Sequence, residues 1–283
     1  MKPMFWTAAL SLSLASASWA QSPPPVRGYA FETIDPPGST DTIARGINAQ
    51  GEVVGRFLDV AGAAHGFLLS NGVFTTIDFP GASRTAANGI NARREIVGLH
   101  DGHAFLLSRG RFTTFDFPSA AGTAAWGINN AGDVVGSYSE FPDSPARGFL
   151  MSRGTFAKVD VPGAVRTSAN SINDRDDIVG DYTDSDGVYH GFLLSRGTYM
   201  TIDFPAAAGD FATVAYGNND RGDVVGVYSL IDGGGGFLLR HGRFNTLSFP
   251  GSEFTRAFGI NVRRWIVGNY FDGSVRHGFL ATR

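Results

Sequence analysis

Along FTTIDF, residues 74–79, Phe74, Thr76 and Asp78 fall on one face and Thr75, Ile77 and Phe79 on the other, the period of two that marks a β-strand. A β-branched pair closed by glycine, VVG at 53–55 or IVG at 96–98, predicts a second strand type, and GFLLS at 66–70 predicts a third. No block after the N-terminal segment carries ten or more residues of helical period. The expected class is therefore all-β.

These blocks recur six times. GIN stands at 46–48, 89–91, 127–129 and 259–261, with SIN at 171–173 and GNN at 217–219, and the asparagines lie 43, 38, 44, 46 and 42 residues apart. Each unit predicts four segments: one before and through GIN, one through IVG, one at GFLLS and one at FTTIDF. A four-stranded unit of about 43 residues is a propeller blade. An open β-solenoid is the alternative arrangement. The phase of the copies favours closure, because a lone fourth segment, FETIDPPG at 31–38, opens the series and the chain ends after a third segment at Arg283. Pairing the two would make a six-bladed ring with no open end.

Punctuation agrees. N-x-x-G turns end at Gly51, Gly132 and Gly222, whereas Arg94, Asp176 and Arg264 stand there in the other units, predicting a turn either strained or built differently. Pro-Gly closes the fourth segment in four units, as at Pro80-Gly81, a type II signature.

Repetition within one chain also sorts scaffold from site. Ala44, Ala87, Ala125, Ala169, Ala215 and Ala257, each two residues before the small residue of the triplet, suit a crowded innermost strand. Phenylalanines of the third and fourth segments suit packing between blades. The six triplet asparagines read as caps of the following hairpin, and Asp35, Asp78, Asp116, Asp160 and Asp203 as local turn acceptors. Between each fixed alanine and small residue stand Arg45, Asn88, Trp126, Asn170, Tyr216 and Phe258; strand alternation turns these away from the axis, into blade packing, and the other reading is a stacking surface for carbohydrate.

Composition narrows the partners. A net charge of −3 with interspersed signs offers no polyanion surface, so nucleic acid is not expected. The absence of cysteine excludes disulfides, thiolate catalysis and cysteine-held metal centres. Residues 1–20 read as a signal peptide cleaved near Ala20: Lys2, an apolar run to about Leu14, then Ser18 and Ala20. That run is shorter than the roughly 20 residues that cross a bilayer, so no membrane span is expected. Residues 21–27 read as a flexible Pro-rich leader, and 28–283 as one domain, secreted or periplasmic and monomeric.

Antiparallel order places the variable loops at one end of the ring, the usual location of binding residues on a rigid frame. The candidates there are Arg84, His100, Asp101, Asp143, Arg166, Asp184, Asp186, Asp232, Arg256 and Asp272. DSDG at 184–187 starts like a calcium loop without completing one, so no cofactor is expected and calcium is the one ion worth testing. His65, His103, His190 and His277 share one register and are read as structural.

HAFLLS at 103–108, GINNAGDVVGSY at 127–138 and HGFLLSRGTYMTIDFP at 190–205 resemble the HAF-type extracellular repeat proteins of bacteria, over about residues 28–283. The resemblance implies export and the repeat type and carries no activity. Arg147 and Gly235 replace the motif histidine in two units. The expected function is a non-catalytic binding module for an extracellular protein or glycan. The alternatives are a polysaccharide hydrolase or lyase and a purely structural extracellular protein.

Overall fold

The computed structural model describes residues 24–205, 212–230 and 233–283. The expected signal peptide, Asp232 and residues 206–211 lie outside the described residues.

Six antiparallel four-stranded sheets form the blades of a propeller, five of them running from innermost to outer strand in chain order. Blade three is representative: Gly122–Ile128, Val134–Ser139, Arg147–Ser152 and Thr155–Val159. Blade six takes Phe254–Ile260, Ile266–Phe271 and Arg276–Thr282 from the end of the chain and Ala30–Thr33 from its start, in the register Ala30 to Thr282 and Thr33 to Phe279. The closure that the repeat phase predicts is therefore observed. Two residues of the Pro-rich leader continue the attachment: Val26 donates to the Thr246 carbonyl at 2.9 Å and Thr246 donates to that of Pro24 at 3.0 Å, along the outer strand of blade five.

The outer hairpins turn through residue–Gly pairs in the left-handed region, such as Arg153 at φ 51° before Gly154 at φ 79°, as twisted hairpins require. The inner hairpins hold one residue in that region: Gly51, Gly132 and Gly222 at φ 90°, 92° and 77° in blades one, three and five, and Arg94, Asp176 and Arg264 at φ 59°, 62° and 64° in blades two, four and six. The last three are thus built like the others, with a side chain where glycine is easier. Because asparagine tolerates this region better than arginine, Arg153→Asn is expected to stabilise the protein by about 0.5 kcal/mol, seen as a higher denaturation midpoint.

The core lies between blades. Val54 and Ile77 of blade one pack with Ala87, Ile90, Ile96 and Phe105 of blade two, and this grouping repeats round the ring. The third-strand phenylalanines 67, 105, 149, 192, 237 and 279 are all buried. Each lies over the glycine of its VVG or IVG, where a methyl group would meet the ring within 2.6–2.9 Å. Beyond the outer strand, Phe117 stacks on Tyr138 of the next blade at 3.7 Å, and Phe204 on Tyr228 likewise.

The asparagines cap their hairpins and also join the blades. Asn48 Oδ1 accepts from the backbone of Gln50 and Glu52, while Nδ2 donates to the Asn91 carbonyl at 3.2 Å. The same inter-blade donation passes from 91 to 129, 129 to 173, 173 to 219, 219 to 261 and 261 back to 48, closing a circuit of six. Asn219→Ala would leave two backbone N–H groups at a buried turn without their acceptor. A loss of about 2–4 kcal/mol is expected in a denaturant titration, with Asn219→Asp losing less because it retains the acceptor.

One repeated residue escaped the sequence reading. Thr85, Thr123, Thr167, Thr213 and Thr255 each accept a hydrogen bond from the backbone N–H of the residue before the proline that ends the preceding outer segment, at 2.9–3.2 Å. In blade one Pro36 has no N–H to give, and Thr42 turns to the Ser39 hydroxyl instead.

Candidate functional site

Every innermost strand carries a β-bulge at one position. Its pairing with the second strand skips the residue between the fixed alanine and the small residue: Arg45, Asn88, Trp126, Asn170, Tyr216 and Phe258. A bulge adds one residue to one strand and breaks the alternation of faces. The expectation that these six residues turn away from the axis is therefore corrected, since all six line a funnel on the axis at the loop-rich end.

The funnel has a volume of about 310 Å3 and is also lined by Arg166, Ser168, Asp181, Tyr189 and Val214. Its floor is narrow because the triplet residues meet below it; a methyl group on Gly46 would lie 2.8 Å from the Asn88 carbonyl oxygen. On the floor the Arg45 guanidinium sits 5.4 Å from the Trp126 ring and 5.1 Å from that of Phe258, and Tyr216 packs against Phe258 at 4.7 Å. Burial pushes the Arg45 pKa down to about 10, so the group remains charged at neutral pH. Its Nε and the Asn88 Oδ1 are buried and make no hydrogen bond.

On the wall, Asp181 pairs with Arg166 and accepts from Asn170 Nδ2 at 2.9 Å, and the Ser168 hydroxyl donates to Asn170 Oδ1 at 2.9 Å. Arg166 lies 5.4 Å from the Tyr189 ring. Arg256 lines a neighbouring cavity of about 390 Å3 with Asp41, Asn269 and Arg276.

Of the sequence candidates, the funnel contains Arg166, with Arg256 at the second cavity. Arg84 stands exposed on the rim, and Asp143 and Asp186 are exposed in their loops. His100 is corrected from ligand to packing residue: it is buried, stacks on Phe79 at 3.6 Å, and donates to or accepts from Thr114 Oγ1 at 3.0 Å. It fills the place of Tyr138 and Tyr228, and burial lowers its pKa. Asp101 holds the rim together by accepting from the Ser83 backbone at 3.0 Å and hydroxyl at 2.6 Å.

Asp184 and Asp272 face their own loops. Asp184 Oδ1 accepts from the backbone of Asp186 and Val188, both at 2.9 Å, and Asp272 Oδ1 from that of Ser274 and Val275, both at 2.8 Å. Among the described residues no three His, Asp or Glu side chains converge as cation ligands.

The outer-strand aspartates also differ from expectation, because four of them face a third-strand histidine instead of a turn. His65, His190 and His277 each bridge two aspartates: Nδ1 meets Asp78 at 2.9 Å, Asp203 at 3.0 Å and Asp35 at 2.7 Å, while Nε2 meets Asp59 at 3.5 Å, Asp184 at 3.2 Å and Asp272 at 3.2 Å. His103 meets Asp116 alone, at 2.8 Å. A neutral imidazole donates from one nitrogen only, so a ring between two carboxylates is favoured in its charged form.

The pKa of each bridging histidine is raised. At His65 the leading cause is the Asp78 hydrogen bond; at His190 and His277 burial opposes the charge, and the bonds to Asp203 and Asp184, or to Asp35 and Asp272, outweigh it. A raised pKa gives stability that is full below the unfolded value near ~6.5 and fades as pH climbs through the folded value. Melting temperature is thus expected to fall from about pH 6 to about pH 8. A His65→Gln, His190→Gln, His277→Gln triple variant should flatten that slope. An unchanged slope would contradict the bridging geometry as its source.

No family model and no curated protein matches the chain. Solved structures similar in fold include a streptogramin B lyase, 12% identical with a TM-score of 0.52, covering 89% of this chain and 97% of that one. A lectin from Aleuria aurantia, solved with a fucosyl-GlcNAc disaccharide, is 12% identical with a TM-score of 0.51 and covers 87% and 93%. TolB from Acinetobacter baumannii is 11% identical with a TM-score of 0.50, covering 86% of this chain and 55% of that one. These likenesses establish the propeller. Its named bearers include both catalysts and binding proteins, and among the described residues no helix is long and apolar enough to cross a membrane.

Proposed function

We propose that the protein is an exported, non-catalytic binding module that captures a glycan in its axial funnel. The observation that carries this reading is the bulge ring. At five of the other repeat positions the six units agree closely, yet at this one they present an arginine, two asparagines and three aromatics, all converging on one cavity. Aromatic faces and amide groups at the foot of a rigid funnel suit the apolar faces and hydroxyls of a sugar.

Glycoside hydrolysis by the usual carboxylate route fits poorly. Glycoside hydrolysis uses two carboxyl groups flanking one bond. The funnel is lined by one, Asp181, which is tied to Arg166 and Asn170. Export is supported by the resemblance of the repeats to the HAF-type proteins and by the character of residues 1–20.

The test uses Trp265→Phe protein, so that Trp126 on the funnel floor reports alone in the chain lacking residues 1–20. Soluble oligosaccharides, with and without calcium, are expected to change its emission, while incubation with the parent polysaccharides releases no new reducing ends. Release of reducing ends or of unsaturated products would sink the non-catalytic reading.

A further inference from the structure

The funnel is lined by two arginines and one aspartate, in a chain whose net charge is −3. Arg166 is neutralised by Asp181. Arg45 has no carboxylate partner among the described residues, and its planar group lies between two aromatic rings on the floor. Three more arginines, Arg56, Arg256 and Arg276, are near enough to oppose its charge, and Asp41 is shared between Arg56 at 3.7 Å and Arg276 at 2.9 Å. The funnel and the cavity beside it, lined by Arg45, Arg166, Arg256 and Arg276 against Asp181 and Asp41, therefore carry a local excess of positive charge between partly apolar walls.

A cation held without a counter-ion at the foot of a cavity is a site for an anion. Arginine's fork matches a carboxylate, and the flanking rings limit its movement. The rest of the lining, which includes Trp126, Tyr216, Asn88, Asn170 and Ser168, suits a ring with one flat face and several hydroxyls. About 310 Å3 is at the low end of ligand cavities, roughly 300–1,000 Å3, and fits one or two sugar rings. Resting on the binding-module reading above, we infer that the funnel selects a carboxylated sugar, a uronate, with its carboxylate on Arg45 and its ring against Trp126 or Tyr216.

The experiment compares glucuronate with glucuronamide, which keeps the ring and hydroxyls and removes the charge, using Trp126 emission in the Trp265→Phe protein. Galacturonate and benzoate complete the panel. Glucuronate or galacturonate is expected to bind at least about tenfold more tightly than glucuronamide, and to weaken as sodium chloride is raised. Arg45→Gln is expected to lower uronate affinity at least about tenfold and glucuronamide affinity by much less, with Arg45→Lys retaining part of the preference.

Equal affinity for acid and amide would overturn the inference while leaving the binding module intact. Tighter binding of benzoate than of either uronate would overturn it too, replacing the sugar by an aromatic acid. Absence of binding by every sugar, charged or neutral, would overturn the inference together with the glycan reading beneath it. The acid–amide comparison needs no funnel variant, so it decides the matter even where Arg45→Gln folds poorly.

Discussion

Gly136→Ala is expected to prevent accumulation of the folded protein, or to destabilise it by at least about 3 kcal/mol where it folds. A methyl group at this position would lie 2.1 Å from the Ala124 carbonyl oxygen and 2.6 Å from the Phe149 ring. Neither neighbour gives way. The carbonyl belongs to the strand that carries the bulge, and Phe149 is fully buried between blades. The control is Gly122→Ala in the same blade, where the nearest atom is 3.6 Å away; its effect is expected within about 0.5 kcal/mol. Comparable losses from the two variants, measured by denaturant titration, would contradict this packing. All five equivalent glycines, 55, 98, 180, 226 and 268, meet a carbonyl at 1.9–2.1 Å and should behave alike.

Removal of residues 24–35 is expected to give a protein that associates or aggregates. The deletion exposes the edge of Arg276–Thr282, an unpaired strand open to pairing with another chain. It also removes Ile34 from the core, the Phe31 ring from Phe249 at 5.5 Å and Phe279 at 5.7 Å, and Asp35 from His277. Those two side chains alone are worth about 3–5 kcal/mol of burial. Size-exclusion chromatography should show species larger than those of the untruncated protein, and a synthetic peptide spanning residues 24–37 should restore the original elution and raise the melting temperature. A truncated protein that elutes like the untruncated one with an unchanged melt would contradict the closure.

The ring was legible in the sequence because closure is a matter of phase. The fourth segment at 31–38 had no blade unless it joined the last, and the structure joins them in register. The funnel was legible only in part. The six residues at its foot stand out as the place where the copies disagree, yet the rule of alternating faces sends them the wrong way, because a bulge leaves no mark in a run such as Thr-Ala-Ala-Asn-Gly-Ile at 85–90. Loop aspartates misled for a different reason. An aspartate that caps its own hairpin, as Asp184 and Asp272 do, looks the same along the chain as one held for a ligand. The candidate His100 stands at a repeat position that holds an aromatic residue in the other five units, and it stacks on Phe79 as Tyr138 and Tyr228 do on Phe117 and Phe204.

The six bulged residues stand outside the ladder that pairs their strands, so exchanging one of them leaves the hydrogen-bonded neighbours on either side as they were. Specificity and foldability are thereby assigned to different positions at 45, 126, 216 and 258, whereas Asn88 and Asn170 also donate to the Ala125 and Ala215 carbonyls of the next blade at 2.9 and 3.0 Å. A combinatorial library varied at 45, 126, 216 and 258 should therefore yield mostly folded members with altered tastes in ligand. The same separation would let a lineage of such chains drift in what it captures while its annulus stays unchanged.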